Sequence, residues 1–341
     1  MTKHIYHVKP LLSSPLFGIS TPVADAADTM ITSADVMKNA KLDWRANDKA
    51  LFTAEGLAVT SHKAIVRSDT NAVLGVVGSG FEVLQNAEAF AFCDSLVADK
   101  RVEYVSAGQF SDGKRIFIQC RLLNKDGGSS AEIAKDDVVE SLFLLANGHD
   151  GSLAVRPLLT PTRVICQNTF RLALSKVANG RDSFSIKHTK SLMDRLEVAR
   201  NLFGWVQQGF DEFVEQAKAT VAKQIPTEQR LKQFFRETFR TPLFDEDASA
   251  MNKNREERLS ELFMTGAGQD NPAVRGTAWA ALNAVTQYLD HESRMTIRGA
   301  EAKTVSAGER DGLVRSARFE SNMLGHNADV KERALELALA I

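Results

Sequence analysis

The spacing of apolar residues changes character twice along the chain. Residues 1–32 keep no sustained period and are expected to be loosely ordered. Ser33 then reads as the N-cap of a short helix over ADVMKNAKL that ends near Trp44. From Leu57 the period falls to two. AVTSHKAIVRSD, AVLGVVG and FEVLQN are short, β-branched and bounded by Asn, Gly and Asp, which predicts strands joined by tight turns. Asn86 is placed to cap a helix, AEAFAFCDSLVAD, with Phe90, Cys93, Leu96 and Val97 on one face.

RVEYVSAGQF and KRIFIQCRLL flank Ser111-Asp112-Gly113, and an Asp-Gly pair between two alternating runs is a strong hairpin signal. DVVESLFLLANG supplies a further strand, and Gly148 to Gly151 turn the chain into SLAVRPLL. Pro161 stands where a helix over TRVICQNTFRLALSKVA would begin. Beyond Thr189 the period is helical. Leu192, Leu196, Val206, Phe210, Phe213, Val214, Ala217 and Val221 form one stripe that Pro226 ends. Further helices are expected after Thr227, over Asn254 to Phe263, Thr277 to Leu289 and Asp329 to Ile341. Arg298 to Gly325 is rich in Gly and Arg and is expected to be mobile. The predicted class is α+β: an antiparallel or mixed β-sheet core with packed helices, followed by a helical C-terminal region. The corresponding division is a loosely ordered segment over 1–40, an α+β core over 41–190 and a helical region over 191–341.

Composition changes this picture little. The 341 residues carry 42 basic and 43 acidic side chains, a formal −1, with 44% hydrophobic residues. Those values exclude a collagen-like, low-complexity or disulfide-stapled chain. Three cysteines, Cys93, Cys120 and Cys166, fit reduced thiols in a cytoplasmic protein. No apolar run reaches the ~20 residues that span a bilayer, and MTKHIYHVKPLLSSPLFG lacks the plan of a signal peptide.

Charge is distributed unevenly. Between Arg156 and Arg200 there are nine bases against three acids, a local +6 in a chain of −1. The bases include Arg156, Arg163, Arg171, Lys176, Lys187 and Lys190, and the hairpin adds Lys114 and Arg115. Such groups along a strand and a following helix could track phosphates, with Phe170 and Phe184 offering rings to unpaired bases. The alternative is a set of solvated helix faces. Lys187-His188-Thr189 opens the long helix and would suit an anion equally well as a plain cap.

Other motifs speak mainly by exclusion. Gly75-Val76-Val77-Gly78-Ser79-Gly80 lacks the Lys-Ser/Thr of a phosphate-binding loop and reads as a hairpin turn, so no nucleotide hydrolysis and no cofactor is expected. Asn147-Gly148-His149-Asp150-Gly151 pairs His with Asp, as a metal-assisted hydrolase would, but a turn Asp accepting backbone bonds explains it equally. Cys166 with His149 or His188 has the composition of a thiol nucleophile and base, yet VICQNTF is apolar, where a small buried thiol is ordinary. Asn168 and Thr169 would touch a ligand or lock their helix to a neighbour.

Leu42-Asp43-Trp44, residues 67–96, the Gly113 hairpin, residues 142–174, IKHT at 186–189 and GTAWAALNAVTQYLDH at 276–291 together resemble the phage- and plasmid-borne "phage/plasmid-like" family of unknown function, the YafZ/YfjQ-like group. The order of elements is similar, at a coarse level, to Rad52-like single-strand annealing proteins of phages. The resemblance implies a non-enzymatic, ATP-independent protein of a phage or plasmid. It would bind and anneal single-stranded DNA as a homo-oligomer, a ring or filament, with no membrane association. Lys114, Arg115, Arg156, Arg163, Arg171, Lys176, Lys187 and Lys190 would then hold phosphates. The alternative is a protein-binding anti-defence or regulatory factor of a mobile element.

Overall fold

The computed structural model describes residues 21–22, 32–91, 93–123, 130–153, 156–170, 172–173, 192–242, 249–295 and 306–341. The strands are β1 (Thr21–Pro22), β2 (Ala46–Phe52), β3 (Ala58–Arg67), β4 (Val73–Gly78), β5 (Val102–Phe110), β6 (Arg115–Leu122), β7 (Ser130–Ala134), β8 (Asp137–Glu140), β9 (Leu142–Gly148), β10 (Arg156–Leu159), β11 (Thr162–Arg163) and β12 (Leu172–Ala173). The helices are α1 (Ser33–Asn39), α2 (Asn86–Phe90), α3 (Cys93–Ala98), α4 (Leu192–Val221), α5 (Glu228–Phe239), α6 (Ala250–Thr265), α7 (Ala278–Gln287), α8 (Ala307–Leu324) and α9 (His326–Leu339).

Three antiparallel sheets result: a six-stranded sheet in the order β1-β5-β6-β9-β10-β12, and three-stranded sheets β11-β8-β7 and β2-β3-β4. The fold is therefore α+β, with helices concentrated in the C-terminal part, as the periodicity predicts. The β5–β6 hairpin turns through Ser111, Asp112 and Gly113, all at positive φ. In the large sheet both faces are buried. Ile116, Ile118 and Cys120 of β6 face a core that runs on through α4, α7 and α9, whereas Phe117 faces a smaller cluster with Phe110 and Leu144. That double burial explains the unbroken apolar run Leu142 to Ala146 in β9. α7 is the central helix, with Ala278 through Thr286 all buried.

Several expectations are corrected. Thr32, not Ser33, caps α1 through a reciprocal capping box with Asp35, because Ser33 is drawn away to Asp94. Asn86 does not cap its helix. It is buried and donates to Leu42 O and Trp44 O, while Gln85 stands at the N-cap and spends its amide on Ala46. Gly75 lies inside β4 rather than in a turn, since a Cβ there would sit 2.7 Å from Asp150 Cα: the glycine admits the 148–151 turn against the strand.

The described part of the helix expected after Pro161, residues 162–170 and 172–173, is not helical. Thr162 and Arg163 pair with Glu140 and Val139, Gln167 takes a left-handed φ of 56°, and Thr169 bridges back to Thr162. Tertiary partners hold this segment's polar groups and override its helical pattern. Conversely, part of the stretch expected to be mobile is α8, whose Phe319 packs on Phe110 and Phe117 at centroid distances of 5.5 and 5.3 Å. Burying such a ring contributes roughly 1.5–3 kcal/mol. The disordered reading of residues 1–31 and the Lys187–Thr189 cap fall outside the described residues, apart from Thr21–Pro22, which pairs with β5.

Candidate nucleic-acid interface

Of the eight predicted phosphate-binding residues, Lys114, Arg115, Arg156 and Arg163 lie among the described residues. Lys114 is exposed at the hairpin turn. Arg115, its neighbour, is part-buried and committed to Glu320 of α8 at 2.5 Å and to Ser152, with Asp150 at 3.9 Å. Arg156 lies in β10, opposite Ala146 of β9. Arg171, Lys176, Lys187 and Lys190 lie outside the described residues, as does Phe184.

Arg163 is the clear correction. It is 1% exposed, and its guanidinium forms two bonds to Asp137, Nε to Oδ1 at 2.6 Å and Nη2 to Oδ2 at 2.9 Å. Its remaining donors reach Ala267 O and Gly268 O. A group so enclosed and paired is not placed to grip a phosphate. Phe170 is likewise no stacking platform, being wedged between Phe213 and Trp279 at 5.0 and 5.2 Å. Asn168 and Thr169 lock the chain to its neighbours: Asn168 donates to Asn283 O, and Thr169 N donates to Asp290, the buried partner of Lys331.

His149 and Asp150 are separated in role. His149 is buried, with Nε2 2.8 Å from Asn86 Oδ1 and its ring edge-on to Trp44. Asp150 accepts from Ser152 and closes its own turn. Among the described residues no three His, Cys, Asp or Glu side chains come together as a metal-holding group. Cys166 is a poor thiolate source, since burial pushes its pKa up to about 11 despite Arg163 nearby. Beside this cluster Arg67 staples two sheets. It bonds Asp69, Gln109 Oε1 and Asp112 O, and its guanidinium lies 4.3 Å from the Trp44 ring centre.

The concave feature that periodicity did not reveal lies on the helical side. A cleft of about 590 Å³ opens between the end of α5, the start of α6, the turn after α7 and the start of α9. The chain after α7 widens into a π-helical turn, Tyr288–Glu292, closed by Ser293 N donating to Tyr288 O at 2.7 Å. Such turns often accompany function because they re-aim side chains within a helix. Here Asp290 is buried against Lys331, while Tyr288, Glu292 and Arg294 line the cleft.

Arg255 supplies the cleft's defining cation. Its guanidinium lies 4.4 Å from the Phe239 ring centre, and Tyr288 meets Phe239 edge-on at 6.1 Å. Its one hydrogen bond to a side chain goes to Asn252 Oδ1, a neutral group. Among the described residues no carboxylate pairs with it, and burial holds its pKa below the ordinary arginine value. Glu292, the acid in the cleft wall, is already taken by Arg258 through two bonds of 2.6 and 2.7 Å. Arg294 and His326 are exposed at the rim. The cleft is therefore cationic and aromatic. Its residues come from four separate stretches, each unremarkable in sequence.

The fold and these sites define an α+β protein with a stapled β-turn cluster and a cationic, aromatic cleft. The chain belongs to the family described as a domain of unknown function (DUF932), whose model matches residues 73–323. No curated protein and no solved structure matches it. Among the described residues no helix is long and apolar enough to cross a membrane.

Proposed function

We propose that this protein binds single-stranded DNA without ATP and anneals complementary strands, acting as a homo-oligomer encoded by a phage or plasmid. The observation that carries the reading is Arg255, a part-buried cation with no carboxylate partner among the described residues, held against Phe239 and beside Tyr288. Unpaired bases stack on rings and guanidinium planes, and their phosphates take up uncompensated positive charge. The base-rich stretch from Arg156 to Arg200, less Arg163, and exposed Lys114 would add long-range attraction for a polyanion. Several weak sites on one strand would multiply avidity across an oligomer.

Fluorescence anisotropy with labelled single- and double-stranded oligonucleotides across a salt series, without nucleotide or metal, tests it. Tight, salt-sensitive binding that prefers single strands is expected, followed by accelerated annealing. Absence of binding at low salt overturns the reading.

A second reading has its own support. The β2-β3-β4 sheet and its first turn expose Phe52 and Leu57 at 62% and 67%, together with Val73 and Val76. Exposed apolar groups on a sheet whose outer strands β2 and β4 are unpaired among the described residues suit a protein partner, as an anti-defence or regulatory factor would need. Capture of one defined partner through this sheet, with no strand binding, would favour it.

A further inference from the structure

We infer that the helical cleft holds a single nucleotide unit, its base against Phe239 and Tyr288 and its phosphate among Arg255, Arg294 and His326. The inference rests on the strand-binding reading for the base-bearing nature of the ligand, and goes beyond it in assigning one enclosed subsite. Size argues for one unit. Pockets for small ligands run from about 300 to 1,000 Å³, and about 590 Å³ accommodates one nucleotide rather than a run of them.

The chemistry of the walls agrees with the size. Phe239 and Tyr288 stand at nearly a right angle, 85°, and with Arg255 over one face of Phe239 the Tyr288 ring is the surface on which a flat base can lie. Asn254, exposed in the lining, offers an amide group to a base edge. Charge selects the other half of the ligand. Glu292 is neutralised by Arg258, which leaves Arg255, Arg294 and His326 at the opening with no opposing free carboxylate among the described lining residues. The phosphate subsite is built by packing: Asp290, two residues from Glu292, is pinned in the core by Lys331 and Thr169 N, and that fixes the π turn that carries Tyr288 and leads into Arg294.

A nucleoside monophosphate group occurs both as a free nucleotide and at the end of a strand. The test is isothermal titration of the full chain with thymidine 5′-monophosphate, with thymidine as the phosphate-free control. Saturable binding of the monophosphate at one site per chain is expected, with thymidine at least about tenfold weaker. Arg255→Gln should weaken the monophosphate by about tenfold or more, as expected for a lost charge-assisted bond. Arg294→Gln, at an exposed position where folding is not at stake, should weaken it in the same direction. Displacement by a 5′-phosphorylated linear oligothymidylate but not by closed circular single-stranded DNA would assign the strand end; displacement by neither would assign the free nucleotide. No saturable binding, or binding unchanged in both variants, overturns the inference. If strands still bind in that case, the wider function survives and only the subsite is lost. Monophosphate binding without strand binding is the reverse result.

Discussion

Arg163 and Asp137 form a fully enclosed ion pair, and the Asp137 Oδ2 that receives Arg163 Nη2 also accepts Trp279 Nε1 at 2.8 Å. One carboxylate thus joins the β8 strand, the short β11 strand and the central helix α7. Desolvating two charges is costly, so their bonds offset that cost only while both are present. Burial and bonding together explain why a basic residue in a base-rich stretch is structural.

Arg163→Met should leave Asp137 buried with the Trp279 bond alone and lower unfolding free energy by about 3–5 kcal/mol. Urea denaturation measures it. The double variant Arg163→Met with Asp137→Leu should recover much of that loss, because no uncompensated charge remains. A double variant as unstable as the single one would contradict this account.

Glu140 makes stability depend on pH. Burial raises its pKa above the usual carboxylate value, with desolvation outweighing Arg121 at 3.5 Å. The unfolded chain releases this proton at lower pH than the folded chain. The group's contribution is therefore complete below about pH 4 and declines as pH rises through the folded value. Glu140→Gln should be more stable than the parent at neutral pH and indistinguishable from it at the acid end. Thermal melts at several pH values read this; a parallel offset at every pH would refute it.

Gly113→Ala addresses the staple between the sheets. The residue has φ +93°, and a Cβ would meet Arg67 Nη1 at 2.7 Å and Trp44 Cζ2 at 3.0 Å. Strain and overpacking together should cost about 1–3 kcal/mol. The near-ultraviolet circular dichroism of the Trp44 environment should change with it, and an unaltered melt and spectrum would show that the turn yields freely.

Lys114 and Arg115 should separate in binding assays although they are adjacent. Lys114→Gln removes an exposed charge and should weaken strand binding uniformly across sequences, lowering the salt slope by about one. Arg115→Gln also breaks the link to Glu320, so its main effect should be on the seating of α8, read as a lower melting temperature. Equal effects on the salt slope with no change in melting would mean that both cations face the strand.

The sequence by itself determined the α+β class, the β5–β6 hairpin and α4, because each rests on short-range features: Asp-Gly in a turn, alternation in strands, and a stripe such as Val206, Phe210, Phe213 and Ala217 along one helix. It did not determine the segment after Pro161, whose helical spacing lost to partners far along the chain. Asp137 stands 26 residues from Arg163 and 142 from Trp279, and Lys331 reaches Thr169 O across 162. α8 was hidden because Gly312 and several arginines mask the face on which Phe319 meets Phe110 and Phe117. The cleft was hidden for the same reason, its parts lying near Phe239, Arg255, Tyr288 and His326. Local periodicity records which face of an element is apolar. Which cations are neutralised in the core and which stay free is decided only when distant carboxylates arrive, and that is a property of tertiary packing.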